Sequence, residues 1–300
     1  MIEEKAYAKL NLSLEVINKR NDGYHNILSL MAAVKMHDLL KLRYFNNRID
    51  GKVSVEIVSS GPEKAVIDST PVEKNLIYRA AAEYLSESGS GADIIIEIDK
   101  HIPAGAGLGG GSADAAAMLR ILNRKLRKFD LKTLESIASR VGADVPFCVS
   151  NGYSICEGIG DIIEPLSGNL QHQVLIVNNG IHSSTAESYE YIDLHKKDKI
   201  PENDKKILFR TLINQGMLDG RSISFINDFE NAVFSRFSAV KELKKQVQNS
   251  GAFFTLMTGS GSTIFGLYDD EVLAEKAADH FSEMYKTVCL TGFLNRKTQI

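Results

Sequence analysis

A glycine-dense loop that runs straight into a helix constrains this chain most. Five of the seven residues from Gly105 to Gly111 are glycine, and Ser112, Asp114 and an alanine-rich run follow at once (KHIPAGAGLGGGSADAAAML, residues 100–119). Glycine admits positive φ and a close ligand approach, because no Cβ intervenes. Successive N–H groups in such a loop can turn toward one concavity, a natural seat for an anion. The helix adds its unpaired N-terminal N–H groups and the positive end of its dipole. A flexible linker is the dull alternative, but Gly/Ser linkers are seldom followed directly by a capped helix. The stretch reads as a phosphate site.

Three known loops compare with it. The Walker loop needs a lysine after its last glycine, where Ser112 stands, and it fails. Gly105, Gly107 and Gly110 satisfy the dinucleotide pattern after a candidate strand at 92–98. Any glycine-dense loop does so often, and here the loop lies a hundred residues into the chain. The third form, Pro-x-x-x-Gly-Leu-Gly-Gly-Gly-Ser, is written out by Pro103, Gly107, Leu108, Gly109, Gly110, Gly111 and Ser112. It resembles the ATP loop of the GHMP kinases, which phosphorylate the hydroxyls of small molecules.

Composition limits the rest. Three hundred residues suit one large or two moderate domains. A net charge of −3 gives no support for a nucleic-acid or anionic-membrane partner. Cys148, Cys156 and Cys289 are too scattered for a disulfide framework or a zinc cluster, which points to a reducing cytoplasm. The first residues, MIEEKAYAKL, carry no signal core, and no apolar run approaches the ~18 residues that span a bilayer.

Along the chain, residues 7–16 (YAKLNLSLEV) alternate strictly and predict a half-buried strand. Lys9 and Asn11 share its polar face, about 7 Å apart at Cα. Asp22-Gly23 then marks a tight turn that presents Tyr24 and His25 at its exit. Strands are expected at 37–44 and 52–59, and an amphipathic helix at 75–88 with Asn75 as its N-cap. Helices follow at 113–128 and 131–141. Asp144, before Pro146, is expected to cap a short turn, which would fix its side chain's direction. Residues 196–206 read as a solvated loop or surface helix. A long helix is expected from Asn227 to Gln248, with Val233, Phe234, Phe237, Val240, Leu243 and Val247 as its core stripe. A second glycine loop, Thr258-Gly259-Ser260-Gly261-Ser262, lies between two strands, with a helix at 271–285 and a last strand at 287–290.

Together, AKLNL, NDGYH, the first glycine loop, GADVPF (142–147) and the second glycine loop resemble one branch of the GHMP kinases, from Ala6 to about Tyr268. That branch acts on a cytidyl diphosphate sugar alcohol in the non-mevalonate route to isoprenoid precursors. The resemblance implies an α+β, two-domain GHMP kinase fold. Residues 1–165 would form the ATP-binding domain, like domain 2 of ribosomal protein S5, and 166–300 a ferredoxin-like domain. The site would lie between them. Asp144 would act as general base, assisted by Lys9, with Asn11 orienting the substrate. The nucleotide would lie along Asn75, Leu76, Ile77 and Lys100, and along the loop formed by Pro103, Ala104, Gly105, Ala106, Gly107, Leu108, Gly109, Gly110, Gly111, Ser112 and Ala113. Ser112 would be the protein contact of Mg²⁺. Tyr24 would stack on cytosine and His25 read its edge, with Thr185 and a second aromatic, Tyr189, on the same substrate. A cytoplasmic monomer or weak homodimer, using ATP and Mg²⁺, is the expectation. His101 and Cys156 depart from the family's usual residues. The other readings left open are a GHMP kinase for another small alcohol and a GHMP-fold protein that binds nucleotide without turnover.

Overall fold

The computed structural model describes residues 1–45, 53–195, 203–216, 218 and 225–295. Its first sheet is built on a hairpin of two long antiparallel strands, β1 (Ile2–Lys19) and β2 (His25–Phe45). Gly23, at φ +88°, turns the chain between them. One part of β2 pairs with β4 (Ala92–Asp99), another with β5 (Tyr153–Glu157). Parallel to β4 lies β3 (Val53–Ser60), and β6 (Ile162–Leu166) closes the other edge, giving the order β3-β4-β2-β5-β6 with β1 on β2. The strand expected at 37–44 is thus only the end of a longer one. Residues 27–34 of β2 are almost all buried, so they lack the polar alternation that marks a one-sided strand.

After the short α1 (Lys64–Asp68) come α2 (Leu76–Glu87), α3 (Gly110–Leu126), α4 (Leu131–Val141) and α5 (Val145–Ser150). The last four pack on one another, and α3 lies against β1 and β2. Ala116, Leu119 and Leu122 of α3 join Leu10, Leu12, Ile96 and Ile98 in the core that fixes the helix under the glycine loop.

The second sheet comprises β7 (Gln173–Asn178), β8 (Phe254–Met257), β9 (Ile264–Tyr268) and β10 (Thr287–Gly292), in the order β10-β7-β9-β8. All neighbours are antiparallel, the ferredoxin-like arrangement that was expected. Its helices are α6 (Thr185–His195), α7 (Asn203–Gln215), α8 (Phe229–Arg236), α9 (Ser238–Asn249) and α10 (Glu271–Ser282). Of the polar stretch 196–206, residues 203–206 begin α7, and 196–202 lie outside the described residues.

The long helix expected from Asn227 to Gln248 is two helices. Phe237, at φ −128° and ψ 85°, breaks it. The break has a packing cause: α8 lies against α6, whereas α9 lies against β8 and β9. One straight rod cannot serve both contacts. Val233, Val240, Leu243 and Val247 are buried as expected, but Phe234 and Phe237 are only half-buried. The two halves of the chain are stitched along β1, where Leu14 N donates to Ile226 O (2.7 Å) and Asp228 N donates to Leu14 O (3.0 Å). Among the described residues no helix is long and apolar enough to cross a membrane.

Candidate active site

A cleft of about 970 Å³ opens where the two glycine loops meet the polar face of β1. Gly109 stands at the N-cap of α3 in the left-handed region (φ +67°, ψ 24°), and Gly110 and Gly111, whose N–H groups have no partner within the helix, line the cleft with it. Gly107, at φ +81°, is pressed from the far side by the second loop. A Cβ there would lie 2.1 Å from the Thr258 carbonyl oxygen, and Thr258 Oγ1 donates to Gly107 O (3.3 Å). The second loop therefore walls the first. Asn227 in turn holds the second loop, its Nδ2 donating to Met257 O (2.6 Å) and Gly259 O (2.8 Å).

Lys9 and Asp144, far apart in the chain, meet in this cleft: Nζ lies 3.4 Å from Oδ2. Lys9 is held along its whole length. Its backbone N–H donates to Leu108 O (3.0 Å), and its ammonium, almost wholly buried, donates to Asn11 Oδ1 (2.6 Å). Asn11 Oδ1 also accepts from Gly259 N (3.0 Å), while its Nδ2 donates to Ser29 Oγ (2.8 Å). Asn11 thus faces the cleft behind Lys9, with its amide engaged by protein. Asp144 does not cap α5 as expected. Its backbone is right-handed helical (φ −82°, ψ −10°), whereas a side-chain N-cap needs an extended residue. The carboxylate is left about one-third open and turned to Lys9.

At the other end, the hairpin tip and α6 form an aromatic wall. Tyr24 is 61% exposed and lines the cleft. His25 is buried, its imidazole stacked on Tyr189 (centroids 4.3 Å apart, 10° between planes), and Phe229 meets Tyr189 edge-on at 4.9 Å. Burial, helped by the charge of Asp144, pushes the Tyr189 phenol up to about 12. Thr185 lines the cleft with its hydroxyl on Ser260 Oγ (2.6 Å).

The expected nucleotide residues separate into two sets. Leu76, Gly105, Ala106, Gly107, Gly109, Gly110, Gly111 and Ser112 line the cleft, whereas Pro103 and Ala104 line a neighbouring cavity of about 320 Å³. Ile77, Leu108 and Ala113 are core residues, and Asn75 caps α2 by accepting from Ile77 N (2.9 Å). Lys100 lies beneath the loop rather than beside it. It is buried in ion pairs with Asp38 and with Asp114 Oδ2 (2.8 Å). Burial draws its pKa down, but Asp114 and Asp38 outweigh this and raise it. Asp38 Oδ1 accepts from Ile102 N (2.8 Å), so this network also fixes the approach to the glycine loop.

Several cleft residues carried no sequence signal. His182 packs against the loop so closely that a Cβ on Gly105 would lie 2.6 Å from its Nε2. Lys19 and Asp193 also line the cleft. Only Asp193 had an available clue, its place four residues after Tyr189 on one helix face. Among the described residues no cluster of three or more His, Cys, Asp or Glu side chains could hold a metal ion.

Comparison with known proteins agrees with this architecture. Residues 75–152 match the model of the GHMP kinases N terminal domain, and 207–287 that of the GHMP kinases C terminal. The chain is 34% identical to the 4-diphosphocytidyl-2-C-methyl-D-erythritol kinase of Clostridium kluyveri, over 96% of this chain and 98% of the relative. It is 36% identical to that of Caldicellulosiruptor saccharolyticus, over 96% and 95%. A crystal structure of a 4-(cytidine 5'-diphospho)-2C-methyl-D-erythritol kinase superposes with a TM-score of 0.76 at 29% identity, covering 97% of this chain and 99% of the other. A homoserine kinase from Cytophaga hutchinsonii, 20% identical with a TM-score of 0.69 over 99% and 96% of the chains, shares the fold. The chain belongs to the GHMP kinase family, in its 4-diphosphocytidyl-2-C-methyl-D-erythritol kinase branch, and is an enzyme that transfers phosphate to an alcohol.

Proposed function

We propose that this chain transfers the γ-phosphoryl group of ATP to the 2-hydroxyl of 4-diphosphocytidyl-2-C-methyl-D-erythritol. The observation that carries the reading is the Lys9–Asp144 pair, 3.4 Å apart at the edge of the glycine loop, in a cleft whose far end is lined by Tyr24, His25 and Tyr189. The loop takes the triphosphate on backbone N–H groups at the start of α3. Asp144 accepts the proton of the tertiary hydroxyl as its oxygen bonds to the γ-phosphorus, and the bond to the β–γ bridging oxygen breaks to release ADP. Lys9 faces the oxygens on which negative charge gathers. Asn11 sets the direction of the Lys9 ammonium and, lining the cleft beside it, orients the substrate. The cytidyl end lies against Tyr24 and His25, with Tyr189 behind the imidazole.

The residues fit a Mg²⁺ ion held mainly by phosphate and water, the usual habit of this ion with nucleotides. Ser112 lines the cleft in the first turn of α3 and would be its protein contact. When bound, the ion neutralises phosphate charge. The reading also divides the chain near 165/166 and places it in the cytoplasm, as a monomer or weak homodimer. A coupled ADP-release assay over alcohols with and without a cytidyl group tests it. ADP release specific to the cytidyl alcohol supports the proposal. Turnover of an alcohol lacking the base points to another small-alcohol kinase, and binding of ATP without turnover of any alcohol points to a non-catalytic protein.

A further inference from the structure

Asp193 reaches across the cleft from α6 and divides its carboxylate between two residues of the hairpin. Oδ1 lies 2.7 Å from His25 Nε2 and Oδ2 lies 2.5 Å from Lys19 Nζ. Burial alone would raise the Asp193 pKa, but the hydrogen bonds of Lys19 and His25 outweigh it and lower it. An ionised carboxylate only accepts hydrogen bonds, so the Nε2 facing it carries the proton. In neutral imidazole the other nitrogen is then a bare acceptor. Among the described residues Nδ1 has no hydrogen-bond partner, and His25 lines the cleft. Tyr189, stacked at 10° on the ring, prevents it from tilting.

We infer that Asp193 is a positioning residue for base recognition: it fixes the His25 tautomer whose Nδ1 lone pair faces the cleft, and this favours cytosine over uracil. The inference rests on the proposed cytidyl substrate. The chemistry is that of the bases themselves, for cytosine carries an amino donor at the position where uracil carries an oxo acceptor. A lone pair on Nδ1 accepts from the first and opposes the second. A site built to bond a donor rejects an analogue lacking it, because its own polar group is left unpaired.

The test compares kinetics with the cytidyl substrate and its uridyl counterpart in the wild type, Asp193→Ala and Lys19→Ala. In Asp193→Ala the preference for the cytidyl form should shrink about tenfold, chiefly through KM for that substrate, the effect of one hydrogen bond. The KM for ATP should stay near the wild-type value. Lys19→Ala also cuts the tie between hairpin and α6, yet should keep the base preference; loss of preference there equal to that in Asp193→Ala would mean that Asp193 acts only as a clasp. A long-range ¹H–¹⁵N spectrum of the wild type needs no variant to fold, and should show His25 protonated at Nε2 and bare at Nδ1. The opposite tautomer overturns the inference. A wild type that discriminates while Asp193→Ala discriminates equally overturns the inference alone. A wild type that turns over both substrates equally overturns it together with the cytidyl reading.

Discussion

Gly109 and Lys9 touch so closely that one methyl group would not fit between them: a Cβ on Gly109 would lie 2.9 Å from Lys9 Cγ and 3.2 Å from Cε. The residue that starts the phosphate-facing helix thus also sets the lateral position of the cation beside it. Gly109→Ala should displace the Lys9 stem, in addition to straining a backbone at φ +67° by roughly 1–2 kcal/mol. We expect kcat/KM to fall by about 10- to 100-fold, since a misplacement of about 1 Å in a positioned group can cost on the order of 10² in rate. Gly111→Ala is the control. Its Cβ would meet only Leu76 Cδ1 at 3.4 Å, so its loss should be clearly smaller. Equal losses in the two variants would refute the steric coupling of Gly109 to Lys9.

Asp144 is expected to take the substrate proton. Asp144→Asn keeps the size and leaves Lys9 in place through Asn11, so both ligands should still bind. The rate should fall by about 10²–10⁴, the usual worth of a general base. Single-turnover kinetics with ADP detection would separate chemistry from binding. An unchanged chemical step would remove Asp144 from the reaction.

The sequence exposed the parts of this site that obey local rules. Strict alternation in residues 7–16 put Lys9 and Asn11 on one face, and the Asp22-Gly23 turn put Tyr24 and His25 at the hairpin tip. The glycine loop announced a helix N-terminus, and α3 begins at Gly110. What stayed hidden depends on contacts through space. Lys100 looked like a strand-end or nucleotide lysine because its partners, Asp38 and Asp114, lie 62 and 14 residues away. The hold on the Asn11 amide was equally hidden, because Gly259, which donates to its Oδ1, sits 248 residues further on. The Asp144 cap failed for a backbone reason, a helical ψ that no residue spacing reveals.

Tyr24 is the simplest probe of the base end of the cleft. Its ring is 61% exposed, so removing it should cost the fold little. Tyr24→Ala should weaken binding of the cytidyl substrate by about 1–3 kcal/mol, the scale of base stacking on an aromatic ring. ATP affinity should not move, because the glycine loop lies at the other end of the cleft. Isothermal titration with each ligand would decide, and an equal loss for ATP would place Tyr24 elsewhere than on cytosine.

Beneath the loop, two carboxylates share one ammonium, and the second oxygen of Asp114 has no hydrogen-bond partner among the described residues. Burial pushes the Asp114 carboxyl up to about 7; Lys100 opposes this and Asp38 adds to it. The folded protein therefore holds a proton that the unfolded chain, at the ordinary value of 3.8, has released. Stability falls with pH wherever the native state binds more protons, so this group's contribution is present in acid and lost as pH rises toward about 7. Asp114→Asn mimics the protonated acid at every pH and should remove that slope. Urea unfolding of both proteins at about pH 5 and pH 8 should show the asparagine variant gaining on the wild type as pH rises. A stability difference that is the same at both values would mean that Asp114 is ionised throughout, with Lys100 balancing both carboxylates alone.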